Sequence, residues 1–448
     1  PDRHGEGYGL HEAAIRSLAP KYDLLLTVDC GITAVGEVRL CRELGLDVVV
    51  TDHHHAADEL PDCTVVNPRL GGYPFPHLAG VGVAAKLVQA LGGMEALRPY
   101  LDIVAIGTVA DIVSLTGENR ALVRAGLEAA SRTTRPGILA LMEVAGLQGR
   151  KLDSAGIGFA LGPRINAGGR IGHSSRSVEM LCTGDRTLAR RIASELEKHN
   201  QIRQSQEQAI LKEAVGKIEG PGGADFLNDR AIVCAGEGWN AGVIGIVASR
   251  LTDAYSVPAV MICLDGESGK GSCRSTGSFN LFEALSACSD CLEGFGGHAM
   301  AAGVTVRRGC VDELRSRLRE YYLSHPDRTL PALEADLLVD SPELLTMACV
   351  ESLDELEPCG NGNPRPLLYM ENVSLDSVQP IGGGKHLRLK LAKFGQTYDG
   401  VFFSQTAPAL GARAGQRCDI VFAPQINEFH GRRSVQLVIT DLRRSKEG

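Results

Sequence analysis

Two short apolar runs near the start of the sequence each end in an aspartate, and a helical stretch lies between them. The first run, YDLLLTVD, ends at Asp29, and the second, LDVVVTD, ends at Asp52. Residues 33–44, which separate the runs, have apolar side chains at helical spacing. Apolar strands that alternate with helices are typical of a buried parallel sheet, and ligands of such sheets bind beyond the carboxyl ends of the strands. The sequence therefore predicts an α/β fold in which Asp29 and Asp52 lie at the same edge of a parallel sheet.

The second aspartate opens a histidine run, which adds metal-binding side chains at that edge. Histidines occupy positions 53–55, directly after Asp52, and a predicted helix over residues 98–110 leads to Asp111. Carboxylates and imidazoles suit Mn²⁺, Zn²⁺ or iron, and a set rich in oxygen favours Mn²⁺ or Mg²⁺. Two carboxylates roughly 4 Å apart repel each other by about 4 kcal/mol near a protein surface, so a cluster of them needs a cation. The alternative is that these histidines belong to a solvated surface loop.

Six motifs spread along the chain support a more specific interpretation. They are 27–32 (TVDCGI), 51–54 (TDHH), 107–111 (GTVAD), 162–170 (GPRINAGGR), 271–275 (GSCRS) and 296–303 (GGHAMAAG). This ordered set resembles the DHH phosphoesterase superfamily and, within it, the exonucleases that are specific for single strands. A single motif would be weak, but the ordered set is specific and extends over nearly the whole chain.

The resemblance implies a role for each residue of the predicted metal site. Asp29 would bridge two divalent cations, Mn²⁺ or Mg²⁺, and His53 and Asp111 would complete the ligands of one of them. His54 would contact the scissile phosphate, and Asp52 would orient a histidine. The resemblance therefore makes His54 and Asp52 the predicted catalytic residues and the other three the predicted metal ligands.

The resemblance also implies a set of substrate contacts outside the metal site. Guanidinium groups suit phosphates because they are planar and always charged, and a Gly- and Ser-rich turn can offer N–H groups to a phosphate. Arg164 and Arg170, each taken alone, are equally consistent with a salt bridge at the edge of a domain. For His298 the alternative is a buried structural role. The predicted substrate-binding residues are Arg164, Asn166, Arg170, Arg274, Ser275 and His298.

Changes in composition divide the chain into three domains and a linker. Residues 187–218 have a long, markedly polar helical pattern, which is typical of a helix that bridges domains, and a Gly-Pro-Gly-Gly break follows at 220–223. Short alternating runs near the C-terminus indicate a small β-barrel. The predicted α/β fold has a parallel-sheet DHH domain at 1–186, a linker helix at 187–220, a smaller α/β DHH-associated domain at 221–328 and a C-terminal OB-fold β-barrel at 329–448.

Basic residues gather on the predicted barrel although the chain as a whole is acidic. The formal net charge is −8, so any attraction to nucleic acid must come from local patches. OB-folds commonly bind single strands, which favours a binding role for these residues. The alternative is a solvated strand face that binds nothing. The predicted nucleic-acid-binding residues of the barrel are Lys385, Arg388, Lys390, Arg432 and Arg433.

One element of the superfamily has no counterpart in front of Asp29. The first motif of the superfamily, an Asp-x-Asp-x-Asp-Gly element on its first strand, supplies further carboxylates to the metals, and residues 1–28 do not contain it. We therefore expect that the N-terminal part of the DHH domain is missing and that the full-length protein binds two metal ions.

These features together predict a metal-dependent hydrolase. The resemblance implies 5′-to-3′ exonuclease action on single-stranded DNA in DNA repair and recombination, with a single-strand binding protein and a RecQ-type helicase as partners. Two alternatives stay open: a DHH phosphodiesterase for short oligonucleotides or cyclic dinucleotides, and a non-catalytic DHH scaffold. No apolar run reaches the roughly 18 residues of a membrane span, and residues 1–6 lack the layout of a signal peptide, which predicts a cytoplasmic protein without a membrane partner.

Two further features allow two interpretations each. Trp239, the only tryptophan, either stacks on a nucleobase or packs in the core. Cys288 and Cys291 form the only CxxC pair among 13 cysteines, and they either ligate zinc or pack as reduced thiols. A structural zinc site usually has a second ligand pair, so the packing interpretation is favoured for the cysteines.

Overall fold

The computed structural model describes residues 9–220, 231–277, 279–325, 332–429 and 431–445 of the 448-residue chain. Residues 1–6, on which the prediction about a signal peptide rests, lie outside these ranges. The predicted domain boundaries at 221 and at 328–329 also lie outside them, and both stay predictions. We refer to residues 9–185 as the first region, 231–325 as the second region and 332–445 as the C-terminal region.

Within the described residues, the first region contains a parallel sheet of three strands. Its first elements are α1 Glu12–Leu18, β1 Leu24–Val28, α2 Val35–Glu43, β2 Asp47–Thr51 and β3 Thr64–Val66. β2 lies in the middle and runs parallel to both neighbours. Val48 and Val50 of β2 are buried in a cluster with Ile15 of α1 and Val38 of α2. The parallel sheet that the apolar runs predict is confirmed.

The register of β1 and β2 brings two predicted site residues to one edge of the sheet. Val28 pairs with Thr51, and each is the last residue of its strand, so Asp29 and Asp52 both follow at the carboxyl end. The Asp29 amide donates to Thr51 O at 3.0 Å, and Thr51 Oγ1 donates to Thr27 O at 2.7 Å. These bonds tie the two strand ends together, and the predicted position of both aspartates is confirmed.

Helices that follow the sheet carry the third predicted carboxylate, Asp111. They are α3 Gly80–Leu97, α4 Leu101–Ala110, α5 Gly117–Ala130, α6 Pro136–Val144, a π-helical turn Gly156–Leu161, α7 Gly162–Ile171 and α8 Ser175–Cys182. α4 contacts α3, α5 and the π-helical turn, and its Ala105 and Ile106 are buried. A helix whose residues are nearly all apolar is held within the core, so α4 delivers Asp111 from a fixed backbone.

A long helix, α9 (Arg186–Glu219), follows the first region and leads toward the second, as the polar pattern predicts. Its 34 residues span roughly 50 Å at 1.5 Å per residue. Ile192 and Leu196 pack into the core of the first region, whereas Ile210 and Ile218 pack into the core of the second. Neither α9 nor any other helix in the described part of the chain has the length and hydropathy to cross a membrane.

The second region forms a mixed sheet with helices, as far as its residues are described. Its elements are β4 Ile232–Glu237, α10 Ala241–Tyr255, β5 Ala259–Asp265, β6 Ser268–Arg274, α11 Leu281–Ala287, β7 Gly294–Gly297, β8 Ala301–Arg307 and α12 Val311–Ser324. The strand order is β4-β5-β6-β8-β7, in which β4 and β5 are parallel and the other neighbours antiparallel. α10 packs on β5 and β6 and also contacts α7 and α9, so it lies where the first and second regions meet.

The C-terminal region forms a closed barrel from five strands among its described residues. Its elements are β9 Leu337–Leu338, α13 Met347–Ser352, β10 Leu368–Ile381, β11 His386–Lys393, β12 Gln396–Phe402, β13 Arg417–Phe429 and β14 Arg432–Arg444. The order β11-β12-β14-β13-β10 closes because β10 also pairs with β11. β12 and β14 are parallel, and Leu389 and Phe422 are fully buried inside. This topology confirms the predicted OB-fold barrel.

Candidate metal centre

Asp52 lies at the carboxyl end of β2 but is shielded from solvent, with only 1% of its surface exposed. Its Oδ2 accepts a hydrogen bond from the Ile32 amide at 3.0 Å, and its Oδ1 accepts one from the His53 amide at 2.7 Å. Oδ1 also accepts from His54 Nδ1 at 2.7 Å. Burial opposes ionisation, but the hydrogen bonds outweigh it and lower the pKa of Asp52 to about 2. A buried carboxylate with both oxygens engaged orients its neighbours and does not reach a substrate.

His54 is the histidine that Asp52 orients. Because Asp52 is ionised, the proton of this hydrogen bond lies on Nδ1 of His54. The hydrogen bond to Asp52 raises the pKa of His54, although burial opposes this. The ring is half-exposed, so His54 can reach a bound molecule while Asp52 fixes its orientation.

His53 is the buried histidine of the motif, and its two nitrogens face different partners. Nδ1 donates to Leu78 O at 3.1 Å, which places the free lone pair on Nε2. Nε2 lies 3.1 Å from Asp29 Oδ1 and 3.6 Å from Asp111 Oδ2. Nε2 is buried, and within the described chain it has no hydrogen-bond partner. An unused nitrogen lone pair between two carboxylates is the donor arrangement that a divalent cation requires.

Asp29, His53 and His54 form a cluster in which one ligand atom from each lies within 4.8 Å of the others. Asp111 joins the cluster through its approach to His53. Burial raises the pKa of Asp111; the nearby His53 opposes this rise and Asp29 adds to it. Carboxylate oxygens together with imidazole nitrogens suit Mn²⁺, and a cation would relieve the repulsion between the carboxylates. The structure therefore brings the three predicted metal ligands together, and the residues present fit a divalent metal.

Gly80 is a residue of this site that sequence reasoning missed. It begins α3, and a Cβ atom built on it would lie 2.6 Å from Asp29 Cγ and 2.8 Å from Asp29 Cβ. No side chain fits at this position unless Asp29 moves. The requirement arises only when α3 packs on the end of β1, so no local pattern in the sequence identifies it.

Two residues that follow β3 were also missed, and both hold the backbone of the histidine motif. Arg69 Nε donates to His53 O at 2.8 Å, and Asn67 Nδ2 donates to His54 O at 2.9 Å. A signal for them was available, because polar residues directly after a third apolar strand reach the same edge of a parallel sheet as Asp29 and Asp52.

The predicted substrate residues on α7 differ in how they are engaged. Arg164 Nε lies 2.6 Å from Glu197 Oε2, and the arginine side chain is 15% exposed. Arg164 thus forms the salt bridge that was its alternative interpretation, and its substrate role stays a prediction. Arg170 Nη1 donates to Gly242 O at 2.7 Å, across the contact between the first and second regions. Asn166 is exposed.

Arg274 and Ser275, at the end of β6, are held by internal hydrogen bonds. Arg274 Nη1 donates to Cys273 O at 2.8 Å, and burial lowers the pKa of Arg274. Ser275 is 7% exposed, and its Oγ donates to Phe279 O at 2.7 Å. The hydrogen bond therefore holds the Arg274 guanidinium in position, and the Ser275 hydroxyl already has a partner inside the second region.

His298 brings the second region next to the histidine motif of the first. Its ring centroid lies 5.6 Å from that of His55, the residue after His54. The His298 side chain is exposed, so the alternative of a buried structural histidine is wrong. The contact places the glycine-rich segment of the second region beside the histidine motif.

The five basic residues predicted on the barrel reach its surface, but three of them have acidic partners. Arg388 Nη2 and Lys390 Nζ lie 3.2 and 2.9 Å from the same atom, Asp399 Oδ1. Arg433 Nη2 lies 2.7 Å from Glu351 Oε1. These ion pairs reduce the positive potential that the three cations offer to a strand. The other two, exposed at the β10–β11 loop and at the start of β14, are Lys385 and Arg432.

Trp239 and the CxxC pair both follow the packing interpretation. Trp239 is 6% exposed, and its Nε1 donates to Glu213 Oε2 at 2.9 Å. Cys288 and Cys291 are buried in the core of the second region, and burial raises the pKa of both thiols, that of Cys288 to about 12. Within the described ranges, the only group of three or more close metal-ligating side chains is the one at the strand ends.

Three family models match the chain, and their order follows the three regions. The model described as "DHH family, N-terminal domain" matches residues 4–108, and the one described as "DHHA1 domain" matches residues 228–323. The model described as "RecJ OB domain" matches residues 336–441. The first match contains Asp29 and the histidine motif, and the last contains the barrel.

Several proteins are similar to this chain over nearly its whole length. A "Single-stranded-DNA-specific exonuclease RecJ" of Bacillus subtilis is 42% identical over 454 residues, which cover 98% of this chain and 56% of the relative. A protein of the same name from Dickeya dadantii is 35% identical over 472 residues, which cover 99% of this chain and 81% of the relative.

Two solved structures that are similar to this chain are also named RecJ. A crystal structure of RecJ in complex with Mn²⁺ from Thermus thermophilus has a TM-score of 0.84 and 30% identity, and the match covers 97% of this chain and 64% of that one. A structure of exonuclease RecJ bound to manganese has a TM-score of 0.63 and 34% identity, covering 73% of this chain and 82% of that one. The chain thus spans 56% of the Bacillus relative and 64% of the Thermus chain.

Proposed function

Because the chain belongs to the RecJ family, we propose that it is a metal-dependent exonuclease that hydrolyses phosphodiester bonds of single-stranded DNA in the 5′-to-3′ direction. One observation carries this proposal. The buried Nε2 of His53, whose lone pair is unused within the described chain, lies between the carboxylates of Asp29 and Asp111. The names of the relatives that match 98% and 99% of the chain support the same activity.

Asp29, His53 and Asp111 are the proposed metal ligands, with Mn²⁺ or Mg²⁺ as the ion and two ions in the full-length protein. Divalent cations supply Lewis acidity, which neutralises charge on the phosphodiester and lowers the pKa of the attacking water. The chain itself supplies the positions of the donors. The hydrogen bond to Leu78 O fixes the His53 ring, and the absence of a side chain at Gly80 lets the Asp29 carboxylate reach it.

His54 is the residue proposed to contact the scissile phosphate. Its raised pKa favours the protonated ring, which can donate a hydrogen bond to a phosphate oxygen and stabilise the developing charge. Asp52 is proposed to act through His54 alone, because it is buried and holds the ring by the bond to Nδ1. Asp52 is thus a positioning residue in this mechanism.

Two arginines are proposed to hold the backbone of the strand where the first and second regions meet. Both arginines lie near the first turn of α10. Arg170 donates to Gly242 O in this turn. Arg274 lies close to Gly245, one turn further on, because a Cβ built on Gly245 would lie 3.3 Å from Arg274 Nη2. Positive charge beside a helix N-terminus favours an anion such as a phosphate. His298, exposed beside the histidine motif, is proposed as a third contact.

The remaining predicted contacts of this part have weaker structural support. Asn166 is exposed on α7 and is available to a strand. Ser275 donates to Phe279 O, and Arg164 forms an ion pair with Glu197. Each would have to leave its present partner to contact DNA.

The barrel is proposed to bind the strand beyond the cleavage site. OB-folds bind single strands on the face of their second and third strands and through the loops between strands one and two and strands four and five. In this barrel those elements are β11, β12, the loop that contains Lys385 and the turn before Arg432. Arg388 and Lys390 lie on β11 but pair with Asp399, so we expect them to contribute less than Lys385 and Arg432.

The proposed setting is DNA repair and recombination in the cytoplasm. A single-strand binding protein and a RecQ-type helicase are the proposed partners, because an enzyme of this kind needs a strand that has been opened and kept single. Membership of the family supports this part of the proposal, and no contact in the described residues is assigned to either partner.

The test is a nuclease assay with Mn²⁺ and end-labelled DNA of one sequence, as single strand and as duplex. We expect the single strand to be degraded and the duplex to resist. We also expect a 5′ label to be released as mononucleotide before a 3′-labelled strand is fully shortened. Asp29→Asn, which keeps the shape of the side chain but removes its charge, should be inactive.

The other outcomes favour the alternatives. Cleavage of dinucleotides without cleavage of long strands would favour a small-substrate phosphodiesterase. A chain that binds no Mn²⁺ would favour a non-catalytic scaffold. Equal cleavage of single strands and duplex would contradict the proposed specificity.

A further inference from the structure

A segment of the C-terminal region leaves the barrel and reaches the surroundings of the metal centre. We call residues 357–363 (EPCGNGN), which precede β10, the docking segment. It contacts the loop at 112–116, between α4 and α5. Leu115 N donates to Asn361 O at 2.7 Å, and Asn361 Nδ2 donates to Ile112 O at 3.0 Å. A single residue of the docking segment therefore binds this loop at two places.

The contact between the docking segment and the loop is too close for side chains on two of its glycines. A Cβ on Gly360 would lie 2.7 Å from Leu115 Cδ1, and a Cβ on Gly362 would overlap Ser114 Oγ. Gly362 also has φ +72°, a conformation that side chains disfavour. In the sequence Gly360-Asn361-Gly362, the two glycines allow the close contact with the loop, and the asparagine forms the hydrogen bonds to it.

The docking segment is itself held in one conformation. Gly360 N donates to Asn363 O at 2.8 Å, which closes a turn inside the segment. Ser154 Oγ, from the first region, donates to Cys359 O at 2.6 Å. Asn361 is therefore presented from a fixed backbone.

The loop that Asn361 binds has an unfavourable backbone conformation at its first residue. Ile112 has φ +59°, which is rare for a β-branched residue. Its side chain is 74% exposed, so packing of that side chain does not hold the conformation. Asp111 lies directly before it and directs Oδ2 to 3.6 Å from His53 Nε2. A change in the Ile112 backbone would therefore move the Asp111 carboxylate.

We propose that Asn361 is a positioning residue for the metal centre: by binding the carbonyl of Ile112, it keeps the Asp111 carboxylate directed at His53. The inference rests on the proposed function, because Asp111 is a metal ligand only there. It gives the C-terminal region a second task besides strand binding, namely to complete a metal site that the first region forms.

Mn²⁺ binding to the full chain tests this inference without an activity readout. The electron paramagnetic resonance signal of free Mn²⁺ gives the Kd directly. We expect Asn361→Ala to bind Mn²⁺ about tenfold more weakly, the lower end of the effect of residues that orient metal ligands. Asn361→Gln keeps an amide donor and should recover part of the loss. In the nuclease assay at limiting Mn²⁺, kcat should fall while KM for a long strand stays unchanged.

The matched control is Arg120→Ala. Arg120 Nη2 donates to Leu356 O at 2.8 Å, so this substitution removes a neighbouring bond between the two regions without touching the Ile112 carbonyl. Its Kd for Mn²⁺ should stay within about twofold of that of the unsubstituted chain. Because Asn361 and the Arg120 contact are exposed, both variants should fold, and their thermal unfolding without metal checks this.

Three results would overturn the inference. Equal Mn²⁺ affinity in Asn361→Ala and the unsubstituted chain overturns the inference and leaves the proposed function standing. An equal loss in Arg120→Ala and Asn361→Ala also overturns it, because docking in general, and not the bond to Ile112, would then set the affinity. No Mn²⁺ binding by the unsubstituted chain overturns the proposed function and the inference together.

Discussion

Asp52 and His53 in the metal centre and two cations on the barrel surface are held in opposite ways. In the metal centre, Asp52 is 1% exposed and accepts bonds from main-chain amides, and His53 donates to a main-chain carbonyl. On the barrel, Arg388 and Lys390 are 52% and 44% exposed and share one acidic partner, Asp399. Asp52 and His53 are fixed by burial and by hydrogen bonds to the main chain, whereas the two barrel cations can exchange their partner.

This difference determines whether the residues keep their geometry or change partners when a substrate binds. A group held by several buried contacts keeps its geometry when a substrate arrives, which is what metal ligands and catalytic groups need. An exposed ion pair is worth about 0–1 kcal/mol, so it can be replaced by an ion pair with a phosphate. We therefore expect changes in the metal centre to affect turnover strongly, and changes on the barrel to affect affinity slightly.

Removal of a proposed metal ligand is expected to have the largest effect. Asp29→Ala deletes the carboxylate oxygen nearest to His53 Nε2. Mn²⁺ binding should be lost, and kcat on single-stranded DNA should fall by about a thousandfold. Asp23→Ala, at the other end of β1 and exposed, is the matched control and should keep its activity. A fall in kcat of less than tenfold in Asp29→Ala would remove the expected contrast between the metal centre and the barrel surface.

A methyl group at Gly80 is expected to have the next largest effect. Gly80→Ala places a Cβ 2.6 Å from Asp29 Cγ, so the carboxylate must leave its position. We expect Mn²⁺ binding about 10- to 100-fold weaker, because the ligand is displaced but not deleted. The control is Gly36→Ala in α2, where a Cβ meets open space. Equal Mn²⁺ affinity in the two variants would show that close packing does not position Asp29.

The buried carboxylate of Asp52 should contribute to stability in a pH-dependent way. The pKa is lowered from 3.8 to about 2, so the contribution of Asp52 is present above pH 4 and is lost as the pH falls toward 2. In the metal-free protein, Asp52→Asn should lower the free energy of unfolding by about 2 kcal/mol at pH 7. Urea unfolding between pH 7 and pH 3 should show the difference shrink at the acid end. A difference that is absent at pH 7 would contradict the described hydrogen bonds.

The smallest effects are expected on the affinity of the barrel for DNA, where one substitution should strengthen binding and another should weaken it. Asp399→Asn releases Arg388 and Lys390 from their shared partner, so single-stranded DNA should bind about twofold more tightly, with a steeper dependence on salt. Arg432→Ala should do the reverse and reduce the salt slope by about 1. Fluorescence anisotropy of a labelled oligonucleotide at several salt concentrations measures both. Unchanged binding in Asp399→Asn would place Arg388 and Lys390 away from the strand.

The positions of Asp29, Asp52 and Asp111 could be predicted from the sequence because they follow from local patterns, whereas their proposed roles come from the resemblance of the motifs. Apolar runs that end at Asp29 and Asp52 predict strands, and the carboxyl ends of parallel strands meet at one edge. Asp111 was predicted from the end of an apolar helix and from its motif. In each case a short stretch of sequence fixes both the element and the place of the residue in it.

The rest of the site depends on contacts between distant parts of the chain. The need for glycine at position 80 appears only when α3 packs on the end of β1. Arg164 and Glu197 form an ion pair because α7 and α9 lie side by side. Asn361 binds a carbonyl 249 residues earlier in the chain. No periodicity or motif encodes these contacts, since each one needs two elements whose relative position only the fold determines.

The most direct measurement is anomalous diffraction from crystals of this chain grown with Mn²⁺, recorded on both sides of the manganese absorption edge. We expect an anomalous peak within coordination distance of His53 Nε2 and of the carboxylates of Asp29 and Asp111. A map without a peak at these three residues, or with its manganese elsewhere in the molecule, would contradict the proposed metal centre.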